Sequence, residues 1–233
     1  MPNYCYNSLK ITGTKESLEA FRKKYIVKDE YCNGSDHFDF HKVIPMPKAL
    51  GVEDNSSADH MWDLLYGIEQ YKTNPKRLGE DAFGIHQLIE HMKKTGETKE
   101  DAIARILEHH PTAKEEAEQY QKNLGKYGHK TWYGWRVAKW GTKWNSIGDT
   151  TSVSLVENEE KCELYIDFDT AWSPCVPVAK KLIKKHRDLT FDFTYEEPGC
   201  CFQGCVEGSH GFVMKDECWD YTPEEDEDFD DEE

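Results

Sequence analysis

No apolar stretch in this chain of 233 residues approaches the roughly 20 residues that a membrane-spanning helix needs, so a spanning helix is excluded. The opening, MPNYCYNSLKITG, has neither the basic start nor the apolar run of a secretory signal, and a cytoplasmic location is expected. The eight cysteines include no C-x-x-C pair, and in a chain of this length without a secretory signal they are expected to be reduced thiols. There is no H-E-x-x-H, no G-x-S-x-G and no phosphate-binding glycine loop, so the usual residues of zinc peptidases, serine hydrolases and P-loop enzymes are missing. One further absence is local. Between Glu118 and Asp149 there is no acidic residue, in a chain whose formal net charge is −16.

That acid-free segment holds six cations (Lys122, Lys126, Lys130, Arg136, Lys139 and Lys143), four tryptophans and three tyrosines. At the other extreme the last ten residues, EEDEDFDDEE, carry nine acids and no base. Such a run repels itself and has almost nothing to bury, so residues 215–233 are expected to form a disordered acidic tail. Its simplest role is solubilising, with mimicry of nucleic-acid phosphates or attraction of a basic partner as the alternatives.

The apolar periodicity predicts an α+β fold. Residues 4–12 alternate as a strand, and TKESLEAFRKKYI follows as a helix capped by Thr14, with Leu18, Phe21 and Tyr25 inward. HFDFHKVIPMP reads as the next strand, with Phe38, Phe40 and Lys42 on one face. From residue 57 to about 124 the period is helical, with starts at Thr98 (Asp101 three positions on) and Thr112, and stops at Pro111 and Gly125. Strands return in TTSVSLVENEEKCELYIDFDTAW, a hairpin turning at 158–161, and then comes a helix starting at Pro174 with Ser173 as its cap. LTFDFTYEEPG and a short final strand pair complete the pattern. Two strand–helix–strand units make a ferredoxin-like split βαβ sandwich: 1–47 as the first half of the core, 48–148 as a mainly helical insertion ending in the basic aromatic segment, and 149–214 as the second half.

Five stretches, in order, carry a resemblance: MPNYCYNSLKITG, HFDFHKVIPMP, WYGWRVAKWGTKWN, FDTAWSPCVPV and LTFDFTYEEPG. Together they resemble the YubB-type ferredoxin-like domain family of phage and plasmid proteins, whose function is generally unassigned. The departures are Tyr4 where that family has tryptophan, Cys175 where it has a second proline, and Cys200 and Cys201 where it has small or apolar residues. The resemblance implies a ferredoxin-like fold and a mobile-element origin, hence a host-cell cytoplasm. It implies no established reaction, and it covers neither the helical insertion nor the tail.

Three motifs supply the candidate ligand-binding residues. In the basic aromatic segment Arg136, Thr142 and Lys143 suit an anion, and Trp140 and Trp144 are either stacking planes for a base or core residues against the sheet. In FDTAWSPC, Asp167 and Asp169 share a strand face, and Trp172 and Ser173 sit at a strand-to-helix turn where helix N–H groups can hold an anion. In YEEPG, Glu196 and Glu197 are either an acid–base pair or a structural clamp for Arg136 or Lys143. Cys200, Cys201, Cys205, His210 and Cys218 lack zinc-site spacing, so no metal and no cofactor is expected. The expected function is binding without catalysis: an accessory or counter-defence factor engaging a host protein or a nucleotide-like ligand. A single-stranded nucleic-acid-binding module, weak and salt-sensitive, and an enzyme acting on a nucleotide or phosphodiester are the alternatives.

Overall fold

The computed structural model describes residues 3–29, 34–78, 81–157 and 161–221. The chain divides into two compact units, Met1–Pro45 with Arg136–Glu233, and Met46–Trp135. The segment 136–148, expected in the insertion, therefore belongs to the unit that holds the sheet.

The first unit begins with β1 (Tyr4–Gly13) and α1 (Lys15–Tyr25). Thr14 caps α1 as its sequence predicts, its hydroxyl accepting from the Ser17 N–H at 3.2 Å, and Leu18, Phe21 and Tyr25 are buried. Next come β2 (Ile26–Asp29), β3 (Ser35–Phe38) and α2 (Phe40–Val43). The strand expected over 37–44 is thus corrected: it stops at Phe38, and β3 pairs with β2 in a separate two-stranded sheet. The cause is local. The Asp39 carboxylate accepts from the His41 N–H at 2.9 Å, starting a helical turn in place of a continuing ladder. The loop at Asn145 and Ser146 then takes the Phe40 and Phe38 N–H groups at 2.8 and 3.0 Å.

The second unit is helical: α3 (Ser56–Trp62), α4 (Ile68–Thr73), α5 (Asp81–Thr95), α6 (Lys99–His109), α7 (Ala113–Tyr127) and the start of α8 (Trp132–Trp140). Its core packs around Trp62, Tyr120, Met61 and Ile85. Thr98 and Asp101 form the expected capping box at the start of α6. α7 runs past Gly125 and stops at Gly128, whose φ of 77° ends the helix in the left-handed region; the expected stop is corrected by one turn.

After α8 the first unit resumes with β4 (Ser152–Glu157), β5 (Cys162–Ala171), α9 (Val176–Lys185), β6 (Thr190–Glu197), β7 (Phe202–Ser209) and β8 (Phe212–Asp220). One six-stranded antiparallel sheet has the order β4-β5-β1-β6-β7-β8. β5 and β6 flank β1, both antiparallel to it, so β5-α9-β6 is a split βαβ unit. β1 and β4 likewise flank β5. The strand that completes the first split βαβ unit comes from 152–157, not from the segment after α1. The ferredoxin-like arrangement stands, with the chain between α1 and β4 inserted into it.

Two further expectations are corrected. α9 starts at Val176, not Pro174, and Ser173 does not cap it: the Ser173 hydroxyl donates to the Gly141 carbonyl at 2.6 Å. Trp172, at φ 71°, turns the chain before the helix can begin. β8 runs to Asp220, so residues 215–220 are strand rather than tail. The rest of the expected tail, 222–233, and the hairpin turn at 158–160 lie outside the described residues.

Candidate functional site

Strand alternation gives the sheet two faces. On β1, Cys5, Asn7, Leu9 and Ile11 are buried, whereas Tyr6 is 48% exposed and Ser8 and Lys10 are half-buried. On β5, Leu164, Ile166, Phe168 and Thr170 are buried, and Glu163, Tyr165, Asp167 and Asp169 point the other way. Register then lines up the second face. Asp169, Tyr6, Glu196, Gln203 and Trp219 lie in one row across five strands. The next row is Ser152, Asp167, Ser8, Thr194, Cys205 and Glu217.

The first row, with Asp167, Ser8 and Thr194 of the second, lines a cleft of about 490 Å³. Tyr6 and Trp219 supply exposed aromatic surface, and Asp167, Asp169 and Glu196 supply three carboxylates. Among the described residues no lysine, arginine or histidine lines it. The Asp167 carboxylate is held in place. Asp167 accepts from the Ser8 hydroxyl at 2.6 Å and from the Ser152 hydroxyl at 3.3 Å. The Asp169 N–H donates to the Thr150 hydroxyl at 3.0 Å. Burial raises the Asp169 pKa above the usual aspartate value, and the Thr150 hydroxyl opposes that rise. The cations of the following row are spent on neighbours, Lys10 on Glu163 at 3.4 Å and Lys215 on Glu207 at 3.6 Å. Chemically, such a cleft favours a cation, which an aromatic face and a carboxylate attract together. A phosphate would meet three like charges.

Of the residues singled out by sequence, Asp167, Asp169 and Glu196 meet here. The others lie elsewhere. Trp140 is fully buried, its indole N–H donating to the Ile44 carbonyl at 3.0 Å and its ring meeting His41 edge-on at 4.7 Å. Arg136 stacks its guanidinium 4.9 Å over the Trp140 ring, and burial lowers the Arg136 pKa. Thr142 is buried, donating to the Ala171 carbonyl at 3.0 Å. Gly141 before it has φ 90°, and a side chain there would strike the Pro174 carbonyl, so only glycine lets these segments meet. Because α8 ends at Trp140, Trp144 leaves the helix and is 40% exposed, with the Lys143 ammonium 4.1 Å over its ring. Trp172 is 44% exposed, and its N–H donates to the Asn3 carbonyl at 3.0 Å.

Glu196 and Glu197 are adjacent in sequence and on opposite faces of β6. Glu197 is fully buried on the helix side, and its carboxylate accepts from the Cys200 N–H. The sequence reading missed Tyr6, Gln203 and Trp219. The alternation in YCYNSLKITG carried the signal for Tyr6; Trp219 was hidden by its placement in the tail.

Residues 139–233 match the family model described as a ferredoxin-like domain in Api92-like protein. No curated protein matches the chain. Among solved structures, the crystal structure of a protein Api92 from Yersinia pseudotuberculosis aligns with 96% of this chain and 100% of that one, at 11% identity and a TM-score of 0.43. The segment from the end of α8 onward is thus similar to the ferredoxin-like domain of Api92-like proteins.

Proposed function

We propose that the chain is a non-catalytic binding module whose open sheet face holds a cationic segment of a partner protein. The carrying observation is the row Asp169–Tyr6–Glu196–Gln203–Trp219, which sets two carboxylates beside two exposed aromatics, in a cleft that no cation lines among the described residues. A lysine or arginine side chain laid across this row would gain cation–π contact from Tyr6 or Trp219 and charge-assisted hydrogen bonds from Asp169 and Glu196. Of the partner classes expected from sequence, this favours a host protein over a nucleotide-like ligand. An accessory or counter-defence role in a mobile element suits such a partner.

The test uses short basic peptides as probes, with the fluorescence of the chain as readout. An arginine-rich peptide is expected to bind, and Asp169→Asn with Glu196→Gln to weaken it at least about tenfold, the size of losing one charge-assisted contact. Equal binding by the double variant, or preferential binding of an acidic peptide, would sink the reading.

A second reading, single-stranded nucleic acid, has its own observation. Trp144, with Lys143 over its ring, and Trp172 are both exposed, and the Thr142–Ala171 hydrogen bond ties their segments together. Tight, salt-resistant binding of an oligonucleotide that Lys143→Ala abolishes would promote it.

A further inference from the structure

The helical layer on the other side of the sheet has the opposite charge. α9 and its exit carry Lys180, Lys181, Lys184, Lys185 and Arg187 within eight residues, and α1 ends in Arg22, Lys23 and Lys24. Lys180 is paired with Asp216 of β8. Lys24, Lys181, Lys184, Lys185 and Arg187 are exposed and have no carboxylate partner among the described residues. Cations in a last helical turn complement the helix dipole, and that explains one or two of them. It does not explain why two helices bring cations together: the Lys24 and Lys185 ammonium groups lie 5.3 and 5.6 Å from the centroid of one ring, that of Tyr25. After burial, Lys24 and Lys181 are what lower the Lys185 pKa, the mark of like charges crowded without a counter-charge. The acids nearby are Glu16 and Glu19 in the first turns of α1 and Asp188, which accepts from the Ser17 hydroxyl.

We propose that this basic face of α1 and α9 is the docking surface for the chain's own acidic C-terminal segment, residues 222–233. Charge complementarity selects the occupant: nine acids without a base stand against five cations that have no carboxylate partner among the described residues. Connectivity permits it. The segment leaves from Tyr221, whose N–H donates to the Cys201 carbonyl at the end of β8, and the Lys180–Asp216 pair holds α9 beside that strand. Twelve extended residues reach about 40 Å, whereas the ten residues of α9 span about 15 Å, so the segment can traverse the helix without strain. So docked, it would compete with any phosphate-bearing polymer for the same cations. The assignment stands independently of the cleft on the opposite face.

The full chain, treated with a carbodiimide that joins carboxylates to amines in contact, is expected to yield cross-links from residues 224–233 to Lys24, Lys181, Lys184 and Lys185. They should persist on dilution and disappear in about 1 M salt, where screening shortens to about 3 Å. Cross-links to other lysines, none at all, or ones that fade on dilution, as for a second copy, would overturn the proposal. A full-length variant with every Glu→Gln and Asp→Asn change across 224–233 should also elute from heparin at higher salt than the parent. That gain should vanish when Lys181→Glu, Lys184→Glu and Lys185→Glu are introduced. An equal gain in both backgrounds means that the segment acts only through net charge, and refutes docking.

Discussion

The two faces of the six-stranded sheet are built by the same strands, one residue out of step, and they have opposite chemistry. Toward the helices lie Leu9, Ile11, Leu164, Ile166, Phe168, Phe191 and Phe193, all buried to 2% exposure or less. Away from them lie Tyr6, Ser8, Asp167, Asp169, Thr194 and Glu196, gathered into a cleft. A single alternation serves both purposes: it makes the core and aligns the carboxylates. A one-residue slip of β5 would send Asp167 and Asp169 into the core, and a slip of β1 would send Ser8 and Lys10 there, so the burial that stabilises the fold also fixes the register of the cleft.

The contrast is sharpest for two tryptophans. Trp140→Ala, on the covered side, is expected to cost roughly 3–5 kcal/mol, because it empties a fully buried site and removes the plane under Arg136. Trp219→Ala, on the open face and 45% exposed, should cost less than about 1 kcal/mol while weakening peptide binding. Urea unfolding of the two variants measures the difference, and similar losses would mean that the faces are not distinct.

A smaller effect is expected from pH. His41, beside Trp140, and His186, bonded to the Tyr25 hydroxyl at 2.8 Å, both have pKa values lowered first by burial. For His41, Asp39 opposes the shift and Arg136 and His37 add to it; for His186, Lys24 and Lys185 add and Asp188 opposes. As pH falls below the ordinary histidine value of about 6.5, the unfolded chain takes up protons that the native state refuses. Stability is therefore lost on the acid side of that value, down to the lowered native pKa values. Melting temperatures that stay flat between about pH 7 and pH 5, in a His41→Gln, His186→Gln background as in the parent, would contradict this.

The smallest effect separates stability from binding at one residue. Burial opposes Asp169 ionisation, so its raised pKa makes the native state lose stability as pH rises through the native value. Asp169→Asn should then leave stability at neutral pH unchanged or slightly higher, by under about 1 kcal/mol, while cation binding falls. Cation binding by the parent should weaken as pH drops through that same raised pKa. A variant that loses both stability and binding would mark Asp169 as a structural residue.

Much of this was legible in the residues. The spacing of Leu18, Phe21 and Tyr25, the cap at Thr14, the box at Thr98 and the alternation of β5 and β6 each express a local preference that the fold keeps, because tertiary packing asks the same of them. The misses share a physical cause. Phe38 to Lys42 alternates like a strand, yet Asp39 hydrogen-bonds locally and the N–H groups find partners more than 100 residues away. Ser173 is a good cap by type, but Gly141 offers it a carbonyl first.

By itself the sequence determined which residues face a core, where most helices begin, that the fold is α+β, and that charge is divided between a basic aromatic segment and an acidic end. The tertiary structure alone decided which strand completes the first split unit, because β4 and the segment after α1 are both plausible strands and only pairing with β5 distinguishes them. It likewise decided the membership of the cleft. Asp169, Tyr6, Glu196 and Trp219 come from four strands spread over more than 200 residues, and the register that brings them into one row is set by burial on the opposite face.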